Sequence, residues 1–230
     1  MPLTPRDRLI VALDVPTIAE AEALVADLGE TVSFYKIGME LAYTGGIALG
    51  ERLMGAGKQV FFDLKLHDIG TTVERATRQI AGTGAAFMTV HAYPQTLAAA
   101  VQGAAGSGLG ILGVSVLTSM DDADCARAGY GLGVADLVRR RARQTMEAGA
   151  AGLICAPSDV GVVRETVGAA LAVITPGVRP AGAEAGDQKR VMTPGEALAA
   201  GADRLVIGRP VHASRNPRAA VEAILAEMGG

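Results

Sequence analysis

Short apolar runs alternate along this chain with longer stretches in which apolar residues recur every three or four positions. The runs are Arg8–Asp14, Val32–Ile37, Val60–Lys65, Phe87–His91, Gly110–Leu117, Gly152–Ala156, Leu171–Thr175 and Arg204–Ile207. Their near-continuous apolar character is that of parallel strands covered on both faces. Between them the spacing turns helical. A helix begins at Pro16, with Thr17 able to cap it, and Ile18, Ala21, Leu24, Val25 and Leu28 line one face. Further helices are predicted over Met39–Met54, interrupted at Gly45-Gly46, and over Thr72–Ala81, Gln95–Ala105, Ala135–Ala148 and Asp159–Val167. A short helix holds Ala197–Ala200, and Pro217–Met228 closes the chain with Pro217 in its first turn. Thr118–Gly133 reads as a longer connection rich in Asp and Gly.

Eight strands, each followed by helix or loop, predict the α/β class: a single (β/α)8 TIM barrel of parallel strands, one domain over residues 1–230. A doubly wound open sheet is the alternative, but no GxGxxG follows the first strand. No linker divides the chain, and no repeat exceeds the strand–helix alternation.

Composition narrows the picture. Half the residues are hydrophobic but only 3% aromatic, so the core must be built from Ala, Val, Leu and Ile. A net charge of −3 gives no general attraction to nucleic acid or an anionic membrane, so an anionic ligand needs a local cluster of cations. Cys125 and Cys155 form no CxxC pair and imply neither a disulfide framework nor a metal knuckle. The opening MPLTPRDRLIVALD has too short an apolar run for a signal peptide. Ala92–Met120 is uncharged, but Pro94, Gln95, Gln102, Ser107 and five glycines break it into a buried helix and a buried strand. The expectation is a cytoplasmic protein with no nucleic-acid or membrane partner.

Candidate chemistry gathers at the strand ends. In Val60–Val73, VFFDLKLHDIGTTV, Asp63 and Lys65 are two apart, so on a regular strand both side chains share a face. Asp68 follows past the strand end, and Gly70-Thr71-Thr72 turns the chain toward a helix. An isolated D-x-K is most simply a solvated salt bridge. Here the charges cap an apolar strand at the end of a barrel where ligands bind, which favours a site. The chain has 17 arginines and four lysines, Lys36, Lys58, Lys65 and Lys189. Two of the four sit at strand ends beside carboxylates. Lysine can release a proton and arginine effectively cannot, which points to proton transfer at Lys65. Lys58 has no assigned role.

The barrel places Asp14, Lys36, Asp63, Lys65, Thr118, Arg179 and Arg209 at or just after strand C-termini, on one face. From Gly177 a long loop, GVRPAGAEAGDQKR, carries the donors Arg179 and Gln188 and is free to close over a ligand; an ordinary loop is the competing reading. Gly208-Arg209 precedes a helical turn at Pro210–Ala213, where backbone N–H groups and a bidentate guanidinium suit an anion. Loops after strands seven and eight are the usual phosphate site of such barrels. The arginine-dense face of Arg139, Arg140, Arg141 and Arg143 reads as solvated. His67 is expected to point away from Asp63 and Lys65, His91 to bond nearby backbone, and His212 to lie on the surface; none is assigned a catalytic role.

The run Asp63-x-Lys65-x-x-Asp68-Ile69-x-x-Thr72 resembles the signature of the orotidine 5′-monophosphate decarboxylase family. The resemblance extends through Leu13-Asp14, Lys36-Ile37-Gly38, Leu117-Thr118-Ser119, Thr175-Pro176-Gly177-Val178-Arg179, Gly186-Asp187-Gln188 and Ile207-Gly208-Arg209. It implies decarboxylation of orotidine 5′-monophosphate to uridine 5′-monophosphate in pyrimidine biosynthesis, with no metal and no organic cofactor. Arg179, Gln188, Gly208 and Arg209 then hold the phosphate, Asp14 and Thr72 the ribose hydroxyls, and Thr118 and Ser119 the polar edge of the pyrimidine. For the last pair a strand-end turn is the plain alternative. Lys36, Asp63, Lys65 and Asp68 form the catalytic array, with Lys65 protonating a ring carbanion. The resemblance also implies a homodimer in which Asp68, Ile69 and Thr72 reach into the partner's site.

Two other readings share the scaffold. Magnesium-dependent sugar-phosphate decarboxylases carry the same D-x-K-x-x-D pattern but an acidic residue where Lys36 stands, and a lysine there would repel the cation. A non-catalytic phosphosugar-binding barrel needs the phosphate grip but not Asp63, Lys65 and Asp68 together.

Overall fold

The computed structural model describes residues 3–180 and 192–229. Eight strands close into a barrel in chain order, every neighbouring pair parallel, with β1 (Leu9–Ala12) sealed against β8 (Arg204–Ile207). The others are β2 (Phe34–Gly38), β3 (Gln59–Leu66), β4 (Phe87–His91), β5 (Gly110–Val114), β6 (Gly152–Ile154) and β7 (Ala172–Pro176). Alternation along each strand divides the core in two. Ile10, Ala12, Phe34, Phe61, Leu112, Val114, Ile154, Ile174 and Val206 fill the barrel interior. Their neighbours, such as Leu9, Val11, Tyr35 and Leu205, pack outward beneath the helices.

The helices fall largely where apolar periodicity places them. They include α2 (Ile18–Leu28), α4 (Ile47–Gly55), α5 (Gly70–Ala81), α6 (Pro94–Ala104), α8 (Val134–Glu147), α9 (Val160–Val167), α10 (Pro194–Ala199), α11 (Arg209–His212) and α12 (Pro217–Glu227). Thr17 caps α2 by accepting from the Glu20 N–H. The predicted break at Gly45-Gly46 is present: a short α3 (Met39–Leu41) passes through a wide turn at Ala42–Gly46, where Gly45 takes φ 111°. Helices α5 and α6 pack so closely that a Cβ on Gly103 would lie 2.5 Å from the Glu74 carbonyl oxygen, so only glycine fits there.

Four differences from the sequence reading have local causes. Two further helices appear, α1 (Pro5–Arg8) and α7 (Asp122–Arg127). Both carry reciprocal capping boxes, Thr4 with Asp7 and Asp121 with Asp124, a signal visible in the sequence as T-x-x-D and D-x-x-D. Strand β5 stops at Val114 rather than Leu117, because the next residues leave the ladder in a turn; Ser115 still gives both its N–H and its hydroxyl to the Ile154 carbonyl. Arg141 is buried, not solvated: its Nη1 donates to the Ala92 carbonyl at 2.5 Å and its guanidinium lies 3.8 Å from the Tyr93 ring centroid. Lys58 acquires a role at the N-terminal end of β3, donating to the Gly29 and Val32 carbonyls at 2.9 and 3.2 Å and pairing with Glu30. Among the described residues no helix is long and apolar enough to cross a membrane.

Candidate active site

The C-terminal mouth of the barrel holds a cavity of about 700 Å³. The ends of seven strands contribute to its wall. Asp14 follows β1, Lys36 stands in β2, Asp63 and Lys65 in β3, and Thr118 and Ser119 follow β5. Cys155 follows β6, Arg179 follows β7, and Gly208 and Arg209 follow β8. One face thus gathers nine of the residues expected at the site.

At its floor lies an alternating row of charges. Lys36 Nζ is 2.9 Å from Asp14 Oδ1 and 3.3 Å from Asp63 Oδ2, and Lys65 Nζ is 2.8 Å from Asp63 Oδ1. At about 3 Å and an effective dielectric near 20, each contact is worth roughly 5 kcal/mol before desolvation. Burial pushes the Lys36 ammonium toward deprotonation, but Asp63 and Asp14 beside it outweigh that and raise its pKa above the usual lysine value. Burial likewise pushes the Asp63 carboxyl up, and the two lysines pull it back below the usual carboxylate range. Asp63 is therefore an anion and Lys36 a cation at neutral pH.

Lys65 reaches its place by an irregular route. From Phe62 to Leu66 β3 advances four residues while β4, from Met88 to Val90, advances two. The chain bulges outward between those pairings. Among the described residues Lys65 is the one non-glycine with a positive φ, 48°, a conformation that costs a side-chain-bearing residue on the order of 1 kcal/mol. The shared face predicted for Asp63 and Lys65 is thus produced by a bulge rather than by regular alternation.

The remaining expected residues divide clearly. Thr118 is half-buried and Ser119 exposed, in the turn closed by the Met120 N–H on the Leu117 carbonyl. Arg179 is buried; its Nη1 donates to the Val178 carbonyl, and its own N–H to the Met192 carbonyl. Arg209 is exposed at the start of α11, and Gly208 precedes it. Gln188 and most of the loop expected to close over the site lie outside the described residues. Asp68, Ile69 and Thr72 are exposed and stand outside this cavity, Ile69 at 72% exposure. Asp68 Oδ1 accepts the N–H of the next residue, Ile69, at 2.6 Å, just ahead of α5.

The histidines separate as well. His67 turns away from the cavity as expected, stacked on Tyr93 at 4.4 Å with Nδ1 3.2 Å from the Thr96 hydroxyl. His91 packs edge-on against His67, and burial, helped by His67, Lys65 and Arg141, holds its pKa below the usual value. His212 corrects the sequence reading: it is half-buried and lines the cavity, its pKa lowered chiefly by burial. The available signal was its position three residues after Arg209, which puts both on one side of a helical turn. Thr89 was also missed. It is the lone hydroxyl in an otherwise apolar stretch of β4, fully buried, and touches both Asp63 and Lys65.

Residues 7–224 match the model of the family described as Orotidine 5′-phosphate decarboxylase / HUMPS family. The chain is 59% identical to an orotidine 5′-phosphate decarboxylase of a Bradyrhizobium species over 226 residues, 98% of this chain and 93% of the relative. It is 59% identical to that of Methylobacterium radiotolerans over 224 residues, 97% of each. Among solved structures, the orotidine 5′-phosphate decarboxylase of Lactobacillus acidophilus is similar with a TM-score of 0.84 at 35% identity, covering 96% of this chain and 99% of the other. The enzyme of Pyrococcus horikoshii gives 0.76 at 26% identity over the same shares.

Proposed function

The chain belongs to the orotidine 5′-phosphate decarboxylase / HUMPS family and is a carboxy-lyase, and we propose that it decarboxylates orotidine 5′-monophosphate to uridine 5′-monophosphate on its own side chains, without a cofactor. The observation that carries the cofactor-free reading is the row Asp14–Lys36–Asp63–Lys65. Lys36 fills, with its ammonium, the place between two carboxylates where a divalent cation would otherwise sit.

The phosphate is gripped by Arg179, Gln188, Gly208 and Arg209, the ribose by Asp14, and the polar edge of the pyrimidine by Thr118 and Ser119. That binding energy sets the substrate carboxylate against Asp63 and the reacting ring carbon against the Lys65 ammonium. The bond to the carboxyl carbon breaks, CO2 leaves, and its electron pair stays on the ring. The fixed positive charge of Lys65 stabilises that pair, then gives it a proton, forming the C–H bond. Lys65 is left neutral and regains its proton from solvent. Repulsion between Asp63 and the substrate carboxylate adds to the effect by raising the ground state. Incubation with orotidine 5′-monophosphate tests the reading: uridine 5′-monophosphate and CO2 are expected one for one. Unchanged nucleotide after prolonged incubation with folded protein overturns it.

The functional unit we propose is a homodimer, acting on soluble nucleotides in the cytoplasm, with one barrel domain in each chain. Asp68, Ile69 and Thr72 stand exposed outside their own chain's cavity, and a two-fold pairing carries them to the partner's. Mixing inactive Lys65→Ala with inactive Asp68→Asn tests this. Each hybrid then has one site with both lesions and one with neither. With random exchange of equal amounts, half the dimers are hybrids, so activity recovers to about a quarter of wild type by the symmetry of the pairing. No recovery, with exchange verified by mass spectrometry, means that Asp68 serves its own chain.

A further inference from the structure

We infer that Thr89 is a positioning residue for the reaction, the residue that fixes the Lys65 ammonium in place through both ends of Lys65 at once. Its hydroxyl accepts the Lys65 backbone N–H at 3.0 Å and donates to Asp63 Oδ1 at 2.9 Å. That same carboxylate oxygen lies 2.8 Å from Lys65 Nζ. The contacts make a closed circuit: Lys65 backbone, Thr89 hydroxyl, Asp63 carboxylate, Lys65 side chain.

The circuit answers a need created by the bulge. Between the Phe62–Met88 and Leu66–Val90 pairings the ladder is broken, so the Lys65 N–H has to find a partner other than a β4 carbonyl. Thr89 occupies β4 between those two pairings, is 0% exposed, and offers a side-chain oxygen in the carbonyl's stead. A serine, threonine or similar small hydroxyl serves this purpose and valine does not. Lys65 is thereby held at φ 48°, which turns its long side chain back onto Asp63. Asp63 is divided between two tasks: Oδ1 receives Thr89 and Lys65, and Oδ2 faces Lys36. The Thr89 hydroxyl can donate one proton only, and it donates to the carboxylate. This orients Asp63 so that its two oxygens meet two different ammonium groups.

Thr89 does not line the cavity, so its effect on substrate runs entirely through Lys65 and Asp63. This separates it from an ordinary buried threonine whose hydroxyl is merely satisfied. Loss of the hydroxyl should lower kcat and leave nucleotide binding nearly unchanged, because the phosphate and pyrimidine contacts are untouched.

The proposal rests on the decarboxylase reading, and wild-type turnover is the control that separates the two. Thr89→Val keeps the shape and removes the hydroxyl; Thr89→Ala removes it without a misplaced methyl; Thr89→Ser retains it. Rates are taken per folded site, counted by binding of uridine 5′-monophosphate. Val and Ala variants should lose roughly 10- to 100-fold in kcat, the range for a lost hydrogen bond to a charged group. Their KM should stay within about threefold of wild type, and Ser should recover most of the rate. Wild-type kcat in folded Val or Ala protein overturns the proposal. So does an equal loss in the Ser variant, or a rise in KM at unchanged kcat. Absence of turnover in the wild type would instead remove the functional reading itself.

Discussion

Lys65→Ala is expected to fold, to bind uridine 5′-monophosphate within about tenfold of wild type, and to show no measurable turnover. The phosphate grip is proposed for Arg179, Gln188, Gly208 and Arg209 and not for Lys65, so ground-state affinity should survive its removal. In the proposed mechanism the ammonium is instead the charge that meets the electron pair left behind by CO2. Preorganised electrostatic contacts of this kind contribute the largest share of many rate enhancements. Losing a contact that is, on this proposal, also the proton donor should cost at least about 4 kcal/mol, roughly a thousandfold. Lys65→Arg should be nearly as poor, because arginine keeps the charge but is a far weaker proton donor. Turnover in the Arg variant close to wild type, measured at saturating nucleotide, would remove the donor role from Lys65.

Arg209→Ala should carry the second large effect, on binding. The residue opens α11 directly after β8, beside Gly208, where the guanidinium and backbone N–H groups can meet one phosphate. A bidentate charge-assisted pair lost from this position should weaken nucleotide affinity by about 2–4 kcal/mol, roughly 30- to 1,000-fold. Added guanidinium ion should recover much of that loss, since the missing group is compact and the gap it leaves is open. Orotidine lacking the phosphate should react at nearly the same low rate with either protein. An equal loss with the phosphate-free substrate would mean that Arg209 acts on the rest of the nucleotide or on the fold.

The barrel was legible because its signals are local. All eight strands lie within a few residues of the apolar runs, and β4 and β8 coincide with theirs. The gathering of charged residues at one mouth was legible for the same reason: a charge that terminates an apolar parallel strand must emerge there. What was hidden depends on pairing between strands. The bulge at Asp63–Lys65 exists because β3 and β4 fall out of step, and no residue in either strand announces it. The role of Thr89 follows from that mismatch and was hidden with it. His212 reads as a surface residue because a four-residue helical turn leaves little periodicity to read. Arg141 reads as solvated because neighbouring arginines surround it; its burial is set by Tyr93 and the Ala92 carbonyl, both in the connection between β4 and α6.

Four charged side chains, Asp14, Lys36, Asp63 and Lys65, are proposed to support decarboxylation with no metal in attendance. Purified protein treated exhaustively with EDTA and then given orotidine 5′-monophosphate, with the loss of the substrate's ultraviolet absorbance followed in time, tests it most directly. The rate should be the same with EDTA, without it, and after addition of magnesium. Loss of activity in EDTA that magnesium restores would contradict it.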